Sequence, residues 1–563
     1  MVPTGRGRQG WLRVLALVLA CSAIFSAAAV GQEHEGGEGQ DEAGDDPIAN
    51  RGDRYVPEPP GTVKKMRFWY GPYVMPAGWD MNRVDLDIPV HNGMILAIEP
   101  ELRINPDWQE PSHQVSHIHH AHWFALDPGN EEDNYTGGNT EWIFGNGDEE
   151  TRADFIERSQ AQKKGPVYGE YIGLAGPQAM IYMLHNKTAE TKVGYVVLDV
   201  TFKYGTLEQL SQERPHHDVA GVLFGRTFDV PRQRKKDGNR DGEWNTTEDY
   251  ERGPIEWTST VSGTMIGTGS HLHPGGDRVI VENMGSEENP CRDDGRGYGG
   301  TMLLKSDIIN RVTPLSEEYQ TEVTRPSWRA PIHEGDRIRI TGIYKNKKHA
   351  WYTAMTHQGI YIDEKQKPRG RCRPYLVGKD RKKRVKRVKR GRSGRKKVVK
   401  RRINPIAGVP NRKWGHMHDT FCGKKFGFDP CEKPFETPPE PGPEASRVMI
   451  ANFQYLPGGR GAPGDMGKPA TVKKGNSLTF VNADQQANIR HSVTTCRYPC
   501  NGRYVSNYPW ADGRWDSGTL GFDAIDGGTP NPVASTPTDL KVGKYAYFCR
   551  IHPFMRGEFH VVP

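Results

Sequence analysis

The sequence predicts an all-β protein built of several sandwiches, and three observations lead there. Gly (65) and Pro (42) fill about a fifth of the 563 residues, against roughly 12% in average usage. Hydrophobic residues make up only 35%, which with so many chain breakers disfavours a helix bundle. From about residue 61 to 370, strand-sized alternating pieces such as RVDLDIPV, KVGYVVLDVTFKY and DRIRITGIYK recur between Gly, Pro and Asn clusters. The chain is too long for one core and suits three or four domains. It shows no collagen period and no coiled-coil heptad.

In chain order, Arg6, Arg8 and Arg13 precede an apolar stretch over residues 15–30, closed by Ala27, Ala28 and Ala29. This reads as a secretory signal peptide over residues 1–31, because the stretch is short for a spanning helix of about 20 residues. Cys21 after Val-Leu-Ala is a lipoprotein cue. The mature chain is therefore expected outside the cytoplasm, secreted or held at the cell envelope. Residues 32–60 carry nine acids and two Arg and are expected to lack structure.

The net charge of +7 averages unlike segments. Residues 381–402 hold 15 of the 76 Lys and Arg and no acid, leaving 61 basic against 69 acidic residues elsewhere. Self-repulsion and the lack of a buriable face predict a disordered run. Behind a signal peptide its partners are anionic envelope polymer or lipid rather than nucleic acid, or it is a plain solvated linker. It belongs to a basic, Pro-rich connection over 371–445 that ends in FETPPEPGPEAS, long enough to let the unit beyond it shuttle. Residues 446–563 form another all-β unit.

That last unit carries the sharpest motif. In YAYFCRIHPFMRGEFHVV, Cys549, His552 and Met555 share one short loop, and His491 lies 58 residues before Cys549. One thiolate, two imidazoles and one thioether form the ligand set of a blue-copper site: soft sulfur suits Cu(I), imidazole suits both oxidation states, and a weak Met tunes the potential. On these residues, 446–563 resembles a cupredoxin with the Cys-x-x-His-x-x-Met loop of amicyanin-like members. The resemblance implies a Greek-key sandwich and one-electron transfer. Phe548 and Arg550 flank Cys549, where copper nitrite reductases and multicopper oxidases place a His that wires this Cys to a second copper; electrons would leave by another route.

Histidines also cluster upstream. Five of the 20 fall within ten positions, His113, His117, His119, His120 and His122. Then come His185 in IYMLHNKT, His271 and His273 in GSHLHPGG, and Met355 in WYTAMTHQGIYI. Residues two apart on a strand project from one face, so His271 and His273 can chelate one metal. With IHHAHWFAL, KVGYVVLDVTFKY and HDVAGVLFGRTFDVP in the same order, about 300 residues resemble the copper type II, ascorbate-dependent monooxygenases, the peptidylglycine and dopamine hydroxylases. The resemblance implies two tandem jelly-roll sandwiches over 61–208 and 209–370. It implies an electron-accepting copper on His119, His120 and His185, and a reactive copper on His271, His273 and Met355, where reduced copper and dioxygen hydroxylate a substrate C–H bond. That family is rich in disulfides in these domains, whereas this stretch has only Cys291 and Cys372.

DGNRDGEWNTTE, residues 237–248, follows a calcium-loop pattern: Asp237, Asn239 and Asp241 offer oxygens, Gly242 the sharp turn and Glu248 a bidentate closure. A plain acidic turn is the alternative. Excluding Cys21 and Cys549, six cysteines allow 15 connectivities. Near neighbours Cys422 with Cys431 and Cys496 with Cys500 are the economical pairs, which leaves Cys291 with Cys372. GHMHDTFC, with His416, Met417 and His418, lacks a second anchor and reads as incidental. Two functions follow: a secreted copper monooxygenase with its own electron-donor domain, drawing on a redox partner or small reductant, dioxygen and an organic substrate, or an electron-transfer protein whose jelly rolls are a non-catalytic scaffold.

Overall fold

The computed structural model describes residues 55–563 except 76–79, 86–89, 106–115, 127–139, 147–151, 174–177, 187–191, 234–241, 274, 308–318, 321–323, 347–349, 382–383, 391–395, 403–441, 452–453, 461–465, 485–490, 498–499, 501–510, 522–530 and 551–554. At His119, His120 and His185 the backbone alone is described. The signal-peptide reading, Cys21, the pair Cys422–Cys431 and the GHMHDTFC segment lie outside the described residues. No described helix is long and apolar enough to cross a membrane.

The described chain is almost entirely strand, in paired sheets, as the alternation predicts. In the first pair, a six-stranded sheet runs Val63–Met75, Lys192–Tyr204, Gly93–Ile104, Val167–Ile172 and His216–Asp218, with Ala153–Asp154 beside Gly93–Ile104. Opposite it lie Asp80–Asp85, Gln178–Asn186, Ser116–Leu126 and Thr140–Asn146. The period of two decides which side chains fill the space between. Val196, Leu198, Val200 and Phe202 from one sheet share a core with Ile118, Trp123, Phe144 and Leu184 from the other.

The second pair follows the same logic. Ala220–Val230, Trp351–Asp363, Gly263–Leu272, Trp328–Ile332 and Tyr375–Leu376 form one sheet in that order, with Tyr319–Gln320 alongside. Glu243–Asn245, Arg337–Lys345, Gly276–Gly285 and Thr301–Asp307 form the other, with Ile255–Thr258 added. Phe224, Leu272, Ala354, Ile360 and Ile362 meet Trp257, Val279, Val281, Ile338 and Ile340 in its core. In the third pair, Gln454–Leu456, Arg447–Ala451, Thr479–Asn482 and Val533–Ser535 face Gly459–Arg460, Arg556–Val562, Gly543–Phe548, His491–Cys496 and Ala511–Leu520, with Ala470–Lys473 beside Arg556–Val562.

The first two sandwiches meet through Trp142, which stacks on Tyr361 with ring centroids 5.3 Å apart. Glycine is required under that ring: a Cβ at Gly359 would come within 2.7 Å of it, and one at Gly221 within 1.8 Å of the Trp142 carbonyl oxygen. Arg158 donates across the same boundary to the Ile266 carbonyl at 2.7 Å.

Three segments differ from the sequence reading. Residues 55–60 are attached to the first sandwich, where the Tyr55 hydroxyl donates to the His91 carbonyl at 2.5 Å and its ring stacks 5.6 Å from Tyr204; one aromatic outweighs the surrounding acids. The second sandwich runs past residue 370, because Cys372 is bonded to Cys291 and Tyr375–Leu376 pairs with Trp328–Arg329. Within the basic run, Arg384–Arg390 and Lys396–Arg402 pair as an antiparallel hairpin, with Val388 opposite Val398. The expectation of disorder rests on charge repulsion and the lack of a buriable face; the β-branched valines and the five-residue, Gly-containing connection favour a hairpin instead. Cys496 and Cys500 are bonded as their spacing suggests.

Candidate metal centres

In the third sandwich, His491 opens the strand His491–Cys496, which pairs with Gly543–Phe548, and Cys549 follows directly. The Cys549 amide donates to the Met555 carbonyl at 3.1 Å, which closes the loop between the last two strands. His491, Cys549 and Met555 are all buried, and Cys549 is the one cysteine outside a disulfide among the described residues. The Ser492 amide donates to Cys549 Sγ at 3.3 Å, and His491 Nδ1 lies 4.0 Å from that sulfur. His552 lies outside the described residues.

A residue the sequence reading missed orients the imidazole. Asp484 Oδ2 lies 2.9 Å from His491 Nε2, so Nε2–H donates to the carboxylate and Nδ1 is turned toward the sulfur. Burial alone would lower the His491 pKa, but the Asp484 carboxylate and the Cys549 sulfur outweigh it and raise the value. A buried sulfur held by an amide N–H, an oriented imidazole and a buried thioether suit a soft, redox-active metal such as copper. Asp484→Ala is expected to weaken copper binding about 10- to 100-fold, read by competition with a chelator. Unchanged affinity would show that Asp484 does not orient the ligand.

In the second sandwich, Leu272 points into the core, so His271 and His273 share the opposite face. Their rings are perpendicular, with centroids 5.2 Å apart. The His273 amide donates to the Met355 carbonyl at 3.3 Å. Ala354 lies in the core, which puts Met355 on the same face as His271 and His273. The face also bears His357, directly opposite His271 in the ladder and absent from the predicted ligand set. Its spacing of two from Met355 was the available signal. Burial, then repulsion from His122 and His273, pushes the His357 imidazole down to about 3. His122, from the first sandwich, is pushed down to about 4 by burial and accepts from Trp142 Nε1 at 3.3 Å. Histidines of both sandwiches thus gather where the two meet.

In the first sandwich the ladder places His117, not His119 or His120, opposite His185, and Asp80 opposite His185 on the other side. His120 pairs with Met183, and His119 falls at the register shift between Ile118 and His120. The His117 side chain is buried. Of the calcium pattern, Asp237, Asn239 and Asp241 lie outside the described residues. Gly242 has φ +83°, which suits a sharp turn. Glu248 accepts from Asn245 Nδ2 at 3.0 Å.

Among the described residues, no three His, Cys, Asp or Glu side chains gather closely enough to hold a metal ion. Each predicted copper set has at most two such side chains within the described residues, the remainder being a thioether or an undescribed histidine.

No protein-family model matches the chain, and no curated protein matches it. Among solved structures, it is similar to a copper-containing nitrite reductase from Thermus scotoductus SA-01 at 14% identity and a TM-score of 0.14, covering 64% of this chain. The chain spans 62% of the length of that reductase. It is also similar to VP54 of PBCV-1, at 8% identity and a TM-score of 0.21 over 55% of this chain and 95% of that one. A third likeness is to infectious bursal disease virus Gx strain, at 11% identity and a TM-score of 0.16 over 57% and 78%. Likenesses this slight leave the chemistry to the chain's own residues.

Proposed function

We propose that this protein is an exported copper redox enzyme. Its third sandwich is an electron-transfer unit of the cupredoxin kind, and the first two form a monooxygenase-like module that hydroxylates a C–H bond of an organic substrate with dioxygen. The observation that carries the reading is the buried Cys549 sulfur 4.0 Å from His491 Nδ1, with Met555 in the same buried cluster as Cys549, Ser492 N–H on the sulfur and Asp484 on the imidazole. Copper, when bound, supplies one-electron redox chemistry at these positions. His491, Cys549, His552 and Met555 would hold it in the third sandwich, and His271, His273 and Met355 in the second. His119, His120 and His185 are the proposed set in the first, with the His117 register as a competitor for one place.

The protein's own groups prepare each site. Asp484 fixes the His491 tautomer, and burial keeps water from Cys549. Leu272 and Ala354, anchored in the core, turn their neighbours His271, His273 and Met355 toward the boundary with the first sandwich. A second reading is an electron carrier whose first two sandwiches are a non-catalytic scaffold.

Metal analysis with visible absorption and electron paramagnetic resonance separates the two. The enzyme reading expects about three coppers per chain, one blue and two of ordinary type 2 character. The double variant H271A/H273A should lose one type 2 copper and keep the blue band. A single blue copper in the fully reconstituted wild type would sink the monooxygenase module, and no blue copper would sink both readings.

A further inference from the structure

We propose that the third sandwich is docked on the second, and that Arg550 and Tyr352 form the bridge by which an electron passes from the Cys549 centre toward the strand carrying Met355. The inference rests on the copper reading above. Its geometry involves both residues that flank Cys549. The Arg550 guanidinium sits over the Tyr352 ring, 5.5 Å from its centroid, and pairs with Asp516 at 3.2 Å. Phe548 lies in one apolar cluster with Ala350, Ala511 and Ala546, and Tyr352 packs against that cluster. The Ala350 amide donates to the Ala511 carbonyl at 3.3 Å, a backbone hydrogen bond between the two sandwiches.

These contacts replace the shuttling motion that the long 371–445 connection suggests. Arg550 is 8% exposed. A guanidinium this buried is stabilised by an aromatic face and a carboxylate together, so the contact is a built one. Tyr352 lies in the strand Trp351–Asp363, three residues before Met355, about 10 Å along an extended chain. The same strand is hydrogen-bonded to the one bearing His271. With copper held by Cys549 and His491 and by His271, His273 and Met355, one electron would pass from the first copper, oxidising it, to the second, reducing it. No bond forms or breaks and no proton moves.

The test uses the full-length, copper-loaded protein, its blue centre reduced by a brief radical pulse and its re-oxidation followed in the blue band. The wild type is expected to show a phase independent of protein concentration. Y352L and R550A should lose that phase and keep only slower, concentration-dependent re-oxidation, while Y352F, which retains the ring, keeps it. In the metal-free wild type, the Ala350 amide should be protected from hydrogen exchange, and in Y352L it should exchange faster. Absence of the concentration-independent phase from the wild type, or its survival unchanged in both Y352L and R550A, would overturn the bridge. An unprotected Ala350 amide in the wild type would overturn the docking. Copper content and the blue band of the wild type judge the copper reading separately, so the two can fail independently.

Discussion

Replacing Cys549 by serine is expected to abolish the blue absorption completely while the sandwich stays folded. The hydroxyl is a hard donor that stays protonated near neutral pH, so it supplies neither the soft ligand nor the thiolate on which the blue centre depends. The fold should tolerate the change. Cys549 packs in the core with Val493, Tyr547, Met555 and Phe559, and the Ser492 amide that donates to its sulfur can donate to a serine oxygen instead. Visible absorption and circular dichroism of C549S, loaded with copper beside the wild type, give the answer. Loss of the band with a native dichroism spectrum assigns the sulfur as ligand. Survival of the band would remove Cys549 from the site and with it the electron-transfer reading of the third sandwich.

Breaking the Cys291–Cys372 bond is expected to have the largest effect on stability. The bond spans 81 residues of sequence, and loop-closure entropy at that length corresponds to about 4.5 kcal/mol. That is a large part of the roughly 5–15 kcal/mol that holds a domain together. The neighbourhood adds to it. Arg371, next to Cys372, pairs with the buried Asp336 at 2.5 Å and donates to the Asn289 carbonyl at 2.6 Å. Tyr375–Leu376 then adds the last strand to the sheet that carries His271, His273 and Met355. C291S/C372S should unfold at clearly lower denaturant than the wild type and lose type 2 copper before blue copper. An unchanged midpoint would mean that the remaining contacts already restrain the closing segment.

Much of this was legible in residue order. The alternation in KVGYVVLDVTFKY becomes the central strand Lys192–Tyr204, with Val196, Leu198, Val200 and Phe202 turned into one core. Cys496 and Cys500 are close enough in sequence that only each other was economical to reach. The Cys549 and Met555 spacing placed both on the last loop, and His271 and His273 shared a face because Leu272 between them had to be buried. The hairpin in the basic run follows from valine pairing that charge and the lack of a buriable face do not predict, and the order at residues 55–60 from the contacts of Tyr55.

By itself the sequence determined what depends on neighbours along the chain: strands from a period of two, turns from Gly and Pro, and histidines two apart on one face, as at His271 and His273. Only the tertiary structure decided what depends on distant segments meeting. Asp484 beneath His491, His357 opposite His271, His117 opposite His185 and Tyr352 under Arg550 follow from ladder register and sandwich packing. A one-residue slip in register would send each to the other face. Which register wins is set by the summed burial of whole sheets, a quantity no local pattern contains.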